Sequence, residues 1–113
     1  MHKVLSFIII IFFIYISIVY SLTYQIRTQV VSVNTTATKL PTTPLVGREY
    51  IRLQNVGTVT VYIGSSTVAA NTSATGGIQL LPYGVWEENY DNTIDIYGKV
   101  ASGSTNVTVE EGK

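Results

Sequence analysis

The 113-residue chain contains no cysteine, which excludes disulfides, thiolate metal sites and cysteine nucleophiles. An extracellular location remains open, because many exported proteins have no disulfides. The single histidine is His2, so a Ser–His pair cannot form in the rest of the chain. Charged residues are also scarce, at 12% of the chain. These absences argue against an enzyme and against a metal or cofactor site.

The charge balance argues against a nucleic-acid partner. Lys3 is the only charged residue among the first 21, so the remainder carries six of the seven basic residues and all seven acidic ones, a net charge near −1. Nucleic-acid binding requires a basic patch that replaces counterions. Gly76-Gly77 is not followed by a helical pattern, so it does not predict a phosphate-binding loop either.

Residues 1–21 differ sharply from the rest of the chain. A basic start precedes an uncharged apolar run from Val4 to Tyr20. A signal peptide explains this pattern, with Val19 and Ser21 at the −3 and −1 positions of a cleavage site after Ser21. A retained transmembrane anchor also explains it, because a membrane-spanning helix needs about 20 apolar residues. A buried core segment is a third interpretation. The first two predict export of residues 22–113, to the extracellular space or to a membrane-anchored surface.

Apolar and polar residues alternate through residues 22–113, which predicts a small all-β domain. Leu22–Val33 is expected to form a long first strand, and Asn34–Pro44 is a Thr/Pro-rich linker that is loop or edge. Turn signals recur about every 8–12 residues, as in sandwiches and barrels. We therefore expect one antiparallel β-sandwich or flattened barrel of about seven to eight strands.

The segment from Tyr50 to Gly64 predicts a central hairpin. Two alternating runs flank an Asn-Val-Gly-Thr turn, in which Gly57 is expected to supply a positive φ. Further strands are expected at Ile78–Leu80, Val85–Asn89, Ile94–Val100 and Asn106–Glu110. The expected core consists of Ile51, Leu53, Val59, Val61, Ile63, Ile78, Leu80, Trp86, Ile94, Ile96, Val107 and Val109.

Several side chains are candidates for contacts rather than for chemistry. One face of the first strand is a candidate assembly surface, formed by Leu22, Tyr24, Ile26, Thr28 and Val30. A second candidate contact face contains Arg48, Tyr50, Arg52 and Tyr62, for which an ordinary solvated surface is the alternative. Three Asn-x-Ser/Thr triplets make Asn34, Asn71 and Asn106 candidate glycosylation sites.

The acidic residues after Trp86 are candidates for catalysis or metal binding only if their side chains converge. Glu87 and Glu88 are neighbours in a predicted strand, so they point to opposite faces and do not form a catalytic pair. Asp91, Asn92 and Asp95 offer oxygens of the kind that calcium prefers, but without the ligand spacing of a known calcium loop. We expect solvated acids at strand ends.

Short motifs are spread over the second half of the chain. They are R-L-Q-N-V-G (52–57), V-Y-I-G (61–64), G-I-Q-L-L-P (77–82), I-Y-G (96–98), V-A-S-G (100–103) and V-T-V-E (107–110). With this pattern, residues 48–111 resemble small β-rich accessory or capsid-decorating proteins encoded among the structural genes of tailed phages. The resemblance implies a virion component without enzymatic activity. The apolar segment at the N-terminus departs from that pattern and fits better with a membrane-containing virion, a virus of an archaeal host or a cell-surface role.

Three functions follow as hypotheses. The first is a non-enzymatic structural protein of a virion or cell surface, which packs against copies of itself or against another surface protein. The second is a secreted filament subunit, in which Leu22–Val33 adds to the sheet of a neighbouring copy. The third is a carbohydrate-binding module that uses Trp86 and exposed tyrosines as stacking platforms.

Overall fold

The computed structural model describes residues 24–113. The expected apolar signal or anchor over residues 1–21, with its cleavage site after Ser21, lies outside the described residues. Between Tyr24 and Lys113 no helix is long and apolar enough to cross a membrane. The strands are β1 (Ile26–Val33), β2 (Thr38–Lys39), β3 (Tyr50–Asn55), β4 (Val61–Gly64), β5 (Ile78–Leu80), β6 (Val85–Glu88), β7 (Tyr97–Lys99) and β8 (Thr105–Gly112).

The strands form two four-stranded antiparallel sheets, which confirms the all-β prediction. Sheet A has the order β1-β8-β3-β6, and sheet B has the order β2-β7-β4-β5. Pairing runs from the ends of the chain inward: β1 with β8, β2 with β7, β3 with β6 and β4 with β5. The β3–β8 and β4–β7 pairs complete the sheets. This nested pairing defines a jelly roll, the double-sheet arrangement of eight strands and two Greek keys.

The expected hairpin over Tyr50–Gly64 is wrong. Its two strands exist, but β3 lies in sheet A and β4 lies in sheet B, so the intervening segment crosses from one sheet to the other. Alternation predicts which side chains face inward and is the same for a hairpin and for a crossing. The tight-turn signal was therefore misleading, because the partner of each strand comes from elsewhere in the chain.

Asn55 explains how the crossing is held. Its side chain is fully buried and makes four hydrogen bonds. The amide nitrogen donates to the carbonyl oxygens of Val59 (2.7 Å) and Leu80 (3.0 Å). The amide oxygen accepts from the backbone N–H of Gly57 (3.1 Å) and from the hydroxyl of Thr105 (2.9 Å). One polar side chain thus connects both sheets.

Gly57 is required for a reason other than the expected one. The φ of Gly57 is not positive. The described residues with a positive φ are Gly47, Gly103 and Tyr83. Instead, the chain passes so close to Thr105 that a Cβ on Gly57 would lie 1.8 Å from the Thr105 hydroxyl oxygen. Close approach, and not a left-handed conformation, excludes a side chain here.

The core matches most of the expected residues. The buried members of that set are Ile51, Leu53, Val61, Ile63, Leu80, Ile96, Val107 and Val109, with Val59 and Trp86 partly buried. Ile78 and Ile94 were wrongly assigned, since 57% and 42% of their surfaces are exposed. Ile78 lies on the edge strand β5 and Ile94 in the loop before β7, where few residues cover them.

Five buried apolar residues were not among the core residues expected from the sequence. These are Leu40, Leu45, Val68 and Val100, together with Val33 at the end of β1. Leu40 comes from the Thr/Pro-rich stretch Asn34–Pro44, which also contains β2. That stretch is therefore an edge strand with a buried anchor as well as a connection.

We expect Gly57→Ala to lower the free energy of unfolding by roughly 2–4 kcal/mol, because the new methyl group overlaps Thr105 and disturbs the Asn55 hydrogen bonds. Urea denaturation followed by circular dichroism measures this change. Thr105→Ala removes the overlapping hydroxyl, so the double variant should lose less stability than the sum of the two single variants. Simple additivity would contradict the proposed overlap.

Candidate interaction surface

The solvent-facing side of sheet A brings the candidate assembly residues together. Side chains alternate along each strand, so Ile26, Thr28 and Val30 of β1 point away from the core, next to Glu110 and Thr108 of β8. The following positions are Tyr50, Arg52 and Gln54 of β3, then Glu87 and Val85 of β6. We call these residues, with Tyr24, the outer face of sheet A.

The outer face exposes large apolar side chains at its β1 border. Tyr24 is 91% exposed, Ile26 67% and Val30 62%. The expectation that they share one face of the first strand is met for these residues, while Leu22 lies outside the described range. The inward-facing side of β1 carries Arg27 and Gln29 before the core residues Val31 and Val33, so the apolar side chains at the start of this strand face solvent.

Polar residues fill the centre of the outer face. Arg52 lies between Glu110 and Glu87 in the register. The Tyr50 hydroxyl donates to Glu110 Oε1 at 3.0 Å, and this hydrogen bond raises the pKa of the Tyr50 phenol. The Tyr50 ring covers Gly112, where a Cβ would lie 2.0 Å from the ring. An aromatic side chain thus fills the space beside a strand glycine.

The expected contact face of Arg48, Tyr50, Arg52 and Tyr62 is not a single surface. Tyr50 and Arg52 lie on the outer face of sheet A, whereas Tyr62 belongs to sheet B, where it pairs with Lys99. Arg48 is only 2% exposed and precedes β3. Its assignment to a solvent-facing contact surface was therefore wrong.

Arg48 is held in the interior by a buried ion pair. Its Nη1 donates to Glu111 Oε2 at 3.0 Å, and both side chains are almost completely enclosed. The other guanidinium nitrogens donate to the backbone oxygens of Tyr90 (3.0 Å), Asp91 (2.7 Å) and Ile94 (2.8 Å). A planar guanidinium with several N–H donors can bind three backbone oxygens of one loop and a carboxylate at the same time.

Glu111 is the acceptor at the centre of the same network. It accepts from Arg48, from the backbone N–H of Leu45 (2.9 Å) and from Arg27, which also donates to the backbone oxygen of Thr43. The strand pattern contained a signal for this residue. Glu111 lies two residues after Val109 and four after Val107 on β8, so its side chain points inward with theirs.

The acidic residues after Trp86 do not converge. Asp91 Oδ1 accepts from both the hydroxyl and the backbone N–H of Thr93, and these bonds lower the pKa of Asp91. Asp95 pairs with Lys39 at 3.2 Å near the surface. Among residues 24–113, no three His, Asp or Glu side chains come close enough to hold a metal ion.

The three candidate glycosylation sites are all exposed. Asn34 and Asn71 lie in loops, where each side-chain oxygen accepts a backbone N–H two residues later. Asn106 lies on β8, opposite Ser32 at the border of the outer face. Exposure satisfies the first requirement for modification, and glycosylation of these residues stays a prediction.

An open apolar groove lies where the two sheets separate. Its volume is about 240 Å³, and Trp86, Tyr90, Ile78 and Ile94 form much of its wall. The Trp86 and Tyr90 rings meet edge to face, with centroids 5.8 Å apart. The ring of Trp86 is partly covered by this contact, so it offers an incomplete stacking platform.

Comparison with models of protein families, with curated proteins and with solved structures found no match to this chain.

Replacing Glu111 tests whether the buried ion pair holds the fold together. We expect Glu111→Gln to cost roughly 3–5 kcal/mol of unfolding free energy, because Arg48 would be left as a buried charge without its counterion. Glu110→Gln is the matched control, since the neighbouring carboxylate points to the outer face. Its cost should stay below about 1 kcal/mol. Equal losses in thermal or urea unfolding would refute the assignment.

Proposed function

We propose that this protein is a non-enzymatic structural component of a virion or an exported cell surface. It works by packing the outer face of sheet A against copies of itself or against another surface protein. The observation that carries the proposal is the exposed strip of Tyr24, Ile26 and Val30 along β1. Exposed apolar side chains along a strand that has no second partner among residues 24–113 are typical of an association surface.

The fold and the sequence supply independent support. Jelly rolls occur in viral capsid domains as well as in lectins, so the topology suits a structural role without proving one. The motifs between residues 48 and 111 resemble phage accessory proteins. The apolar segment before Leu22 is explained by export, which would put the jelly roll on an exterior surface.

The pairing of β1 within its own domain argues against the filament hypothesis. A donated strand is needed when a domain lacks a strand of its own, but β1 is paired with β8 of the same chain along its whole length. Ile26–Val33 is thus not a free strand that needs an acceptor, so assembly is expected to use completed sheets.

Assembly can be tested by adding a charge to the outer face. The full chain is expressed and the exported species purified, then compared with Val30→Lys by sedimentation velocity and electron microscopy. We expect association to weaken at least tenfold in Val30→Lys, because burying an ammonium in an apolar contact is costly.

Ile78→Lys is the matched control, because Ile78 is similarly exposed but belongs to the groove and not to the outer face. It should assemble like the wild type. A wild-type protein that stays monomeric at high concentration, alone and with its neighbouring surface proteins, would overturn the proposed function.

The groove beside Trp86 favours a second candidate, a carbohydrate-binding module. Aromatic rings in an open groove stack against sugar rings, and lectins include jelly rolls. Binding on a glycan array should then weaken in Trp86→Ala, with circular dichroism checking that the variant is folded. An array that is blank for the wild type would eliminate this function.

A further inference from the structure

We propose that the open edge of β1 pairs with the same edge of a second copy, in an antiparallel register centred on Thr28. This inference rests on the proposed function and deepens it, because it names the partner and the contact. Two completed four-stranded A sheets would join into one continuous sheet across a two-fold axis.

The backbone of β1 is oriented for this contact. Gln25 and Lys113 exchange two hydrogen bonds (3.0 and 2.9 Å), which marks them as a hydrogen-bonded pair of the β1–β8 ladder. Such pairs recur at every second residue of an antiparallel ladder. The N–H and C=O groups of Ile26, Thr28 and Val30 therefore point away from β8, toward the open edge.

The other sheet edges are protected, whereas β1 is not. β2 has two residues and is followed by Leu40-Pro41, and β5 has three residues. β6 has four residues and carries Glu87 and Glu88, which would repel a second copy. β1 has eight residues, no proline, no lysine and an unbroken register with β8. Natural proteins blunt exposed edges with short strands, prolines, lysines or bulges, and β1 has none of these. Its one inward-pointing charge, Arg27, is neutralised by Glu111.

The lack of outward charge on β1 and the side-chain pairs that two copies would form favour a second copy as the partner at this edge. The outward side chains of β1 are uncharged from Tyr24 to Ser32, so two copies meet without repulsion. Centring the register on Thr28 places Ile26 opposite Val30 of the second copy, and Arg27 opposite Gln29. Matched apolar pairs stabilise antiparallel strands.

The registers centred on the residues next to Thr28 form less favourable side-chain pairs. A centre at Arg27 would oppose two arginines, and like charges directly opposite each other are destabilising. A centre at Gln29 would place Ile26 against Ser32 and separate the apolar residues. The Thr28 register also keeps both apolar strips on the same side, so the two outer faces become one surface.

A cysteine cross-link tests the pairing, since the chain has no cysteine of its own. In the proposed register the two Thr28 Cα atoms lie about 5.5 Å apart. That distance is within the usual disulfide range of roughly 4.4–6.8 Å. The exported species of the full chain, made in a host that does not N-glycosylate, is oxidised mildly and analysed on non-reducing gels. We expect Thr28→Cys to form covalent dimers at least ten times more efficiently than Ser32→Cys.

Ser32→Cys is the control because it lies on the same strand and face, but opposite Tyr24 of the second copy. A mixed experiment tests the register: Ile26→Cys should cross-link to Val30→Cys in a mixture, and each should cross-link poorly alone. Equal cross-linking of Thr28→Cys and Ser32→Cys, or none, overturns the edge pairing. If Thr28→Cys assembles in electron micrographs but forms no disulfide dimers on oxidation, the edge pairing is overturned while the proposed function stands.

Discussion

The buried ion pair of Arg48 and Glu111 is the interaction on which the rest of the structure depends. Removing two charges from water costs several kcal/mol per ion, and the attraction offsets this only when nearly every donor and acceptor is used. That condition is met, since no buried side-chain nitrogen or oxygen in residues 24–113 lacks a partner. The pair joins the entry to β3, the end of β8, the loop after β6 and, through Arg27, the first strand.

The same topology determines which surface is left open. The nested pairing gives β1 one partner, β8, and makes it the edge strand of sheet A. Arg27, the only charge on this strand, is drawn inward by Glu111. What remains on the outside is uncharged and partly apolar. The uncharged outer side of β1 is therefore linked to the buried network, because Glu111 holds the one charge of this strand on the inward side.

Much of the domain could be predicted because its signals are local. Period-two alternation identified the positions of most strands and eight of the buried residues, among them Leu53, Val61 and Val109. It failed where burial depends on distant partners. Ile78 and Ile94 have the pattern of core residues but lie at an edge and in a loop, whereas Leu40 lies in a stretch without any period and is buried. For the candidate surface, alternation identified the shared face of Tyr24, Ile26, Thr28 and Val30 but not that it faces solvent.

By itself the sequence determined the β class, the alternation of faces and the absence of cysteine chemistry, and its apolar run from Val4 to Tyr20 predicts export. The tertiary structure alone decided that Tyr50–Gly64 crosses between sheets, that Gly57 is needed for close approach to Thr105, and that Arg48 is interior. The physical reason is the range of the interactions. Alternation and turn propensity act between neighbours in the chain. The Leu80 and Thr105 partners of Asn55, the side-chain partners of Arg48, and β8 as the partner of β1 all lie 25 or more residues away, so they are specified only when both sheets have formed.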